Sequence, residues 1–339
     1  MGITLNESVC VCIAAYNSAN TIARAVTSAL QQSHVTEVLV VDDASRDATV
    51  EKARGCDDGS GRLSVIAMEH NGGPSAARNR ALAQSRASLF CVLDSDDYFL
   101  HDRIGRLLAA DSGAWDFIAD DILIVPEELA GTHEAERFDA SPIPLTELDI
   151  EAFVLSNIVM PGRPRAELGF LKPLMRRSFL DHHGLNYDLT MRLGEDYALY
   201  VRALMAGAKF KVVSFCGYIA IERANSLSSS HSAADLNALL AFDETCSEAT
   251  ALSKPVRAAL AAHKRSTVDR WALARTLEIR REAGIGHALR FLAQQPHSAA
   301  YVASKLVQAR SERLRRHFGR DGQTRHARQL IGEKVVGVD

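Results

Sequence analysis

The chain of 339 residues has no apolar run near the ~20 residues that a membrane-spanning helix requires. Nor does it begin with a basic segment and apolar stretch ahead of a cleavage site, so the expectation is a cytoplasmic protein. Its six cysteines, at positions 10, 12, 56, 91, 216 and 246, are too scattered to suggest a disulfide scaffold. Cys10 and Cys12 fall on one face of an apolar strand-like run, which suits packing better than metal binding. A reducing compartment is the simpler setting for them. No G-x-G-x-x-G follows the first strand and no G-x-x-x-x-G-K-[ST] occurs, which argues against dinucleotide-dependent and P-loop enzymes. Internal repeats and low-complexity segments are also missing.

What remains is an ordinary globular composition, 47% hydrophobic and 24% charged, long enough for one large core and a smaller second unit. The net charge of −3 conceals an uneven distribution. Residues 1–253 hold 21 Lys+Arg against 35 Asp+Glu, whereas residues 254–328 hold 17 against 5. The basic stretch reads either as solvated helix faces or as a surface for an anionic membrane, where each Lys or Arg adds about 1 kcal/mol. Nucleic acid is not an expected partner, because few aromatics are interleaved and no recognised motif occurs.

Over the first 125 residues, short apolar runs alternate with helix-length amphipathic segments. Residues 9–14, 38–41, 63–68 and 89–93 read as strands, and 21–32, 47–54, 74–85 and 102–110 as helices. Strands that are apolar throughout and separated by helices imply an α/β fold with a parallel sheet covered on both faces. Ligands of such sheets bind beyond the carboxyl ends of the strands. A fifth strand is expected at 116–125, a loop-rich insertion at 126–168, a helix at 196–206 and a long strand at 210–221. After residue 232 the pattern is helical, which divides the chain into domains at 1–232 and 233–339.

Candidate site residues cluster at the strand ends. After the fourth strand stands Asp94-Ser95-Asp96-Asp97, three carboxylates within four residues. Such a cluster repels itself unless a cation intervenes, and oxygen ligands near phosphates suit Mg²⁺ or Mn²⁺. The alternative is helix capping ahead of 102–110. The second strand ends in Asp42-Asp43-Ala44-Ser45, whose carboxylates can accept from a base or ribose; Ser45 and Asp47 could cap the next helix. Tyr16, after the first strand, is placed to stack on a base or simply to pack. Asn71-Gly72-Gly73 opens a helix whose start favours an anion, and Arg78 follows one turn in with a fixed fork for phosphate or base.

Four segments occur in order: Ala15-Tyr16-Asn17, Val41-Asp42-Asp43-Ala44-Ser45, Asn71-Gly72-Gly73 with Ala77-Arg78-Asn79, and Leu93-Asp94-Ser95-Asp96-Asp97. Together they resemble family two inverting glycosyltransferases of the GT-A fold, over about residues 8–222, and within them the bacterial exopolysaccharide glucosyltransferases of the succinoglycan type. The resemblance implies transfer of a hexose from a UDP-sugar, with Mg²⁺ or Mn²⁺, to a hydroxyl of a saccharide acceptor. That acceptor would be lipid-linked, which would hold the enzyme peripherally at the inner face of the cell membrane. By motif, Ala15, Tyr16 and Asn17 would line the uracil side and Asp43 would bind the base. Arg78 would meet the uracil or phosphate, Asp94 and Ser95 the ribose side, and Asp96 the metal, with Asp97 unassigned. Glu195-Asp196, opening a helix, would supply the catalytic base in Asp196 with Glu195 positioning it or the acceptor; an N-terminal cap is the other reading. Arg223 would start a loop that closes over the diphosphate, and His231 would either complete the metal shell or lie on the surface. Two departures stand out: Ala15 replaces a common Pro, and His101 replaces a Pro beyond the acidic cluster, leaving the approach to the following helix open.

Two other functions fit parts of the pattern. A nucleotidyltransferase would need a Gly-rich, Lys/Arg-bearing loop after the first strand, and residues 14–17 do not provide one. A non-catalytic nucleotide-sugar or glycan-binding module has no need of Asp94, Asp96 and Asp196 together.

Overall fold

A computed structural model describes residues 7–110, 114–131, 146–158, 167–223, 231–249, 252–317 and 327–331. Two compact units divide the chain. The first comprises Met1–Ser156, Pro164–Arg223 and Ala327–Asp339, and the second Asn157–Arg163 and Ala224–His326.

The first unit begins as the apolar runs dictate, with β1 (Val9–Ala15), α1 (Ile22–Leu30), β2 (Val35–Asp42), α2 (Thr49–Arg54), β3 (Leu63–Ala67), α3 (Gly73–Gln84) and β4 (Leu89–Val92). β1 is flanked in parallel by β2 and β4, and β2 by β3. Helix α1 turns Ile22, Ala25, Val26, Ala29 and Leu30 inward, a 3.6-residue period that covers one face of this sheet. The chain then forms β5 (Tyr98–Phe99), α4 (Arg103–Ala110) and the wholly buried β6 (Phe117–Pro126). At the turn where Pro is replaced by His101, Asp102 adopts φ 57° and its carboxylate accepts from Ser33 Oγ at 2.5 Å, which sets the start of α4.

The described part of residues 126–168 holds regular elements that a loop-rich reading does not anticipate. These include β7 (Thr146–Leu148), which pairs antiparallel with a later strand, and α5 (Ile150–Ser156). Phe153 of α5 is fully buried and stacks on Tyr197 with ring centroids 5.9 Å apart. After a 3-10 turn at Leu168–Phe170 come β8 (Leu174–Arg176), α6 (Arg177–His182), α7 (Glu195–Met205) and the long β9 (Phe210–Glu222). The sheet order is β3-β2-β1-β4-β8-β6-β9-β5. Its long ladders, β6 with β9 included, are parallel. The antiparallel pairings are short, two or three residues each. The chain beyond 232 is not helical throughout: β10 (Arg328–Gln329) returns to pair with β6, and Ile331 N donates to buried Asp121 at 3.0 Å.

Under this sheet Arg103 and Asp120 form a fully buried pair, Nη2 to Oδ1 at 2.6 Å and Nε to Oδ1 at 2.9 Å. Asp120 also accepts from Gly217 N at 2.6 Å. A Cβ at Gly217 would stand 2.6 Å from Arg103 Cγ, so only glycine admits this close approach. The guanidinium lies over the Phe99 ring at 4.7 Å and donates to Lys172 O at 2.6 Å.

The elements described in the second unit are helices: α8 (Ala233–Ser247), α9 (Lys254–Ala283), α10 (Ile285–Ala293) and α11 (Pro296–His317). Ser232 and Asp235 form a capping box that starts α8, and Ser253 caps α9. His263 and Asp243 pair within its core at 2.7 Å, and Trp271 meets Phe291 edge-on. Of the apolar series Val302, Leu306 and Ala309 on α11, Val302 is fully buried and Ala309 exposed. Among the described residues no helix is long and apolar enough to cross a membrane.

Asp120→Ala leaves the Arg103 charge buried without its carboxylate. The expected loss is about 3–5 kcal/mol of unfolding free energy, measured by denaturant titration; a loss below about 1 kcal/mol would show that the pair is not structural.

Candidate active site

The expected site residues stand at the carboxyl ends of β1, β2 and β4 and at the start of α7, and most of them converge. Asp94 follows β4, Arg78 projects from α3, and Glu195 and Asp196 open α7. Arg78 Nη2 donates to Asp94 Oδ1 at 3.0 Å, while Nη1 reaches Glu195 Oε1 at 2.6 Å and Asp196 Oδ1 at 3.3 Å. Helix α3 is fixed against the segment before α7 by two further side chains. Ser75 Oγ donates to Met191 O, and the Asn79 amide exchanges hydrogen bonds with both main-chain groups of Tyr187. The helix α7 N-cap is Gly194 in a left-handed conformation, with no side-chain cap. Neither Glu195 nor Asp196 is the N-cap, and both turn toward Arg78.

Sequence reasoning overlooked Lys172. Its Nζ lies 2.7 Å from Asp196 Oδ2 and 3.1 Å from Asp94 Oδ2, so both oxygens of each carboxylate meet a cation. A lone Lys before Pro173 carries no pattern; the one available signal was a charged residue between the apolar Leu171 and Leu174. Burial pushes the Asp94 carboxyl up, but Lys172 and Arg78 outweigh it and hold the group down at about 2. Glu195 is raised, by burial first, with Arg78 opposing and Asp196 adding repulsion. Lys172 and Arg78 remain firmly protonated despite burial because these carboxylates surround them.

The three acids of the cluster separate by environment. Asp97 is buried, accepting from Tyr218 OH and Ile221 N at 2.8 Å each, and so ties the loop to β9. Asp96 is the most open, its side chain 39% exposed and paired with Arg223 Nη1 at 3.2 Å. Burial and the neighbouring Asp94 raise the Asp96 carboxyl. Ser95 Oγ shares a hydrogen bond with Ser18 Oγ at 2.8 Å. Among the described residues no three His, Cys, Asp or Glu side chains converge as a protein-made metal cage. One open carboxylate does fit a cation that draws its other ligands from substrate phosphates and water.

The remaining expected residues lie around this centre rather than in it. Tyr16 is 47% exposed at the end of β1, whereas Ala15 is buried in the sheet and offers no side-chain surface. Asn17 joins two loops, its N–H donating to Ser45 Oγ and its Oδ1 accepting from Arg46 N. Asp43 is buried, and its two oxygens accept from Gly72 N at 2.7 Å and Gly73 N at 2.8 Å. The anion expected at the start of α3 is thus the protein's own carboxylate. Gly73 sits at φ 82°, which favours glycine. Beyond Arg223, residues 224–228 of the expected closing loop lie outside the described residues. His231 pairs with Arg270 Nη2 at 2.7 Å.

Asp97 lies well above the ordinary carboxylate range, through burial first and then repulsion from Asp96 and Asp94. A carboxyl that holds its proton more tightly folded than unfolded contributes stability at low pH that is lost as pH rises. Asp97→Asn removes this dependence and keeps an acceptor for Ile221 N–H. Its unfolding free energy should gain on wild type as pH increases from about 5 to 8, by at most about 1.4 kcal/mol per pH unit. Denaturant titrations across that range give the answer, and a difference that does not vary with pH contradicts it.

The chain is similar to known proteins over most of its length. The family described as "Glycosyl transferase family 2" matches residues 10–159. The succinoglycan biosynthesis protein ExoU of Rhizobium meliloti (strain 1021) is 44% identical over 307 residues, covering 91% of this chain and 89% of that protein. The Escherichia coli UDP-Glc:alpha-D-GlcNAc-diphosphoundecaprenol beta-1,3-glucosyltransferase WfaP is 36% identical over 101 residues, covering 30% of this chain and 39% of WfaP. In fold, the chain is similar to S. aureus TarS 1-349 in complex with UDP-GlcNAc, with a TM-score of 0.57 over 87% of this chain and 83% of TarS 1-349, at 20% identity. With this sheet and a relative matched along nearly its whole length, the chain belongs to glycosyltransferase family 2 and has the GT-A fold.

Proposed function

We propose that the chain is an inverting, metal-dependent hexosyltransferase that moves glucose from a UDP-sugar to a hydroxyl of a lipid-linked saccharide in exopolysaccharide synthesis. The first unit, which includes β10, is its catalytic domain, and the helices of the second unit form a basic region. The observation that carries this reading is the Glu195–Asp196 pair at the start of α7, joined through Arg78 and Lys172 to Asp94 after β4. The donor, acceptor and pathway named for ExoU and WfaP, and the UDP-GlcNAc of the TarS complex, support the substrate class.

In this reading Tyr16 stacks on the uracil, Asp43 and Asn17 shape its loop, and Asp94 and Ser95 face the ribose. Asp196 accepts the proton of the acceptor hydroxyl as that oxygen attacks the anomeric carbon from the side opposite the diphosphate. The bond between the anomeric carbon and the phosphate oxygen breaks, and its electron pair leaves on UDP. Glu195 and Arg78 orient the base, and Arg223 meets the diphosphate. Asp96 would hold Mg²⁺ or Mn²⁺, which would supply charge neutralisation for the diphosphate.

Asp196→Asn should lower UDP release by about 10²–10⁴-fold and leave UDP-sugar affinity within a few-fold of wild type. Retained turnover moves the base elsewhere. Asp96→Ala should remove the Mn²⁺-dependent part of UDP binding in calorimetry; an unchanged titration sinks the metal assignment. A donor panel with and without Mn²⁺ identifies the sugar.

The lipid-linked acceptor calls for an enzyme at the membrane surface, and α10 supplies a face for it. Ile285 and Leu289, 67% and 61% exposed, lie one turn apart on α10; Arg290 follows Leu289, Arg281 closes α9 just before, and both are exposed. Exposed apolar residues one turn apart with arginines nearby in sequence suit an interfacial helix. Co-sedimentation with anionic liposomes should be strong at low salt and reduced at high salt, and should weaken in Ile285→Ser/Leu289→Ser. Binding that ignores both salt and this substitution contradicts the surface assignment.

A further inference from the structure

Lys172 closes a ring of alternating charge. Asp94 Oδ1 meets Arg78, Arg78 meets Asp196 Oδ1, Asp196 Oδ2 meets Lys172, and Lys172 returns to Asp94 Oδ2. The two cations of the ring are unequal in their attachments. Arg78 is shared among three carboxylates and lies closer to Glu195, at 2.6 Å, than to Asp196, at 3.3 Å. For Lys172 the closer partner is Asp196, at 2.7 Å.

The placement of Lys172 also differs in origin. Its carbonyl accepts from Arg103 Nη2 at 2.6 Å, and Arg103 is clamped by Asp120 in the core. Tyr200 OH, on α7, donates to the adjacent Leu171 O at 2.9 Å. The ammonium is therefore positioned by the buried core and by α7 itself, not by an open loop. Around Asp196 stand Arg78 of α3, Asp94 after β4, Cys12 of β1, Tyr187 of the segment before α7, and Glu195 and Tyr200 of α7. Arg78 is the one cation in that group, so Lys172 supplies the second.

We propose that Lys172 is a positioning residue for the transfer reaction, whose ammonium holds the Asp196 carboxylate in a fixed orientation and couples it to Asp94 on the donor side. The inference rests on Asp196 being the general base. Without Lys172, three carboxylates crowd a single guanidinium, and the loss of an opposite charge at this range moves a carboxyl upward by about 1–3 pH units.

The test uses the full chain, with UDP release from a UDP-sugar followed as a function of pH. In Lys172→Met the acid limb of the kcat profile should move up by about 1–3 pH units, with kcat reduced about tenfold or more at the wild-type limb. Lys172→Arg, which retains the charge, should recover most of both effects. If circular dichroism shows Lys172→Met unfolded, Lys172→Gln is read by the same criterion. A folded variant that loses rate while its acid limb stays at the wild-type position shows a purely structural lysine and overturns the proposal. Asp196→Asn separates the two ideas. Turnover retained in that variant removes the base, whereas an inactive Asp196→Asn with an unmoved limb in the lysine variants removes only the role of Lys172.

Discussion

Two cations, Arg78 and Lys172, face three carboxylates, Asp94, Glu195 and Asp196, at the point where β4, α3, α7 and the segment before β8 meet. Taking such charges out of water is costly, and only close pairing offsets the cost. Each element contributes one or two members, so none can shift without leaving a buried charge exposed to its like. The imbalance of one negative charge is not spread evenly. Asp94, between both cations, is held at about 2, while Glu195, with Arg78 as its sole ion-pair partner in the ring, is pushed up. The arrangement gives neighbouring carboxylates different proton affinities, which is the condition for assigning them different chemical duties.

A second layer supports the first. The Arg103–Asp120 pair holds the Lys172 carbonyl, and Tyr218, beneath Arg103, accepts from Asp94 N and donates to Asp97. Polar groups in the core thus fix the main chain of residues whose side chains reach the site.

How much of this could be read in the sequence follows from the range of the interactions involved. The parallel half of the sheet was legible because each strand is a continuous apolar run; residues 9–14 became Val9–Ala15, and 89–93 became Leu89–Val92. The carboxylates at strand ends were legible because the topology that places them is local. β7 and α5 were not, since elements of three and seven residues show too little periodicity. β10 pairs with β6 across some two hundred positions and has only two residues to signal it. Arg103, Asp120 and Lys172 resemble solvated surface charges in one dimension, and only folding brings each to its partner. Asp43 is the reverse case: its position was evident, but not that its carboxylate would turn inward to two glycine amides.

That inward turn has an electrostatic consequence for any phosphate approaching the strand ends. The start of α3 is the positive pole of a helix dipole with unpaired N–H groups, the feature that commonly captures an anion. Here Asp43 has already filled it. A diphosphate must therefore find its counter-charge elsewhere, and the open side of the site offers Arg223 against the carboxylates of Asp96 and Glu127. A phosphate that binds there competes with these carboxylates for a guanidinium they already hold.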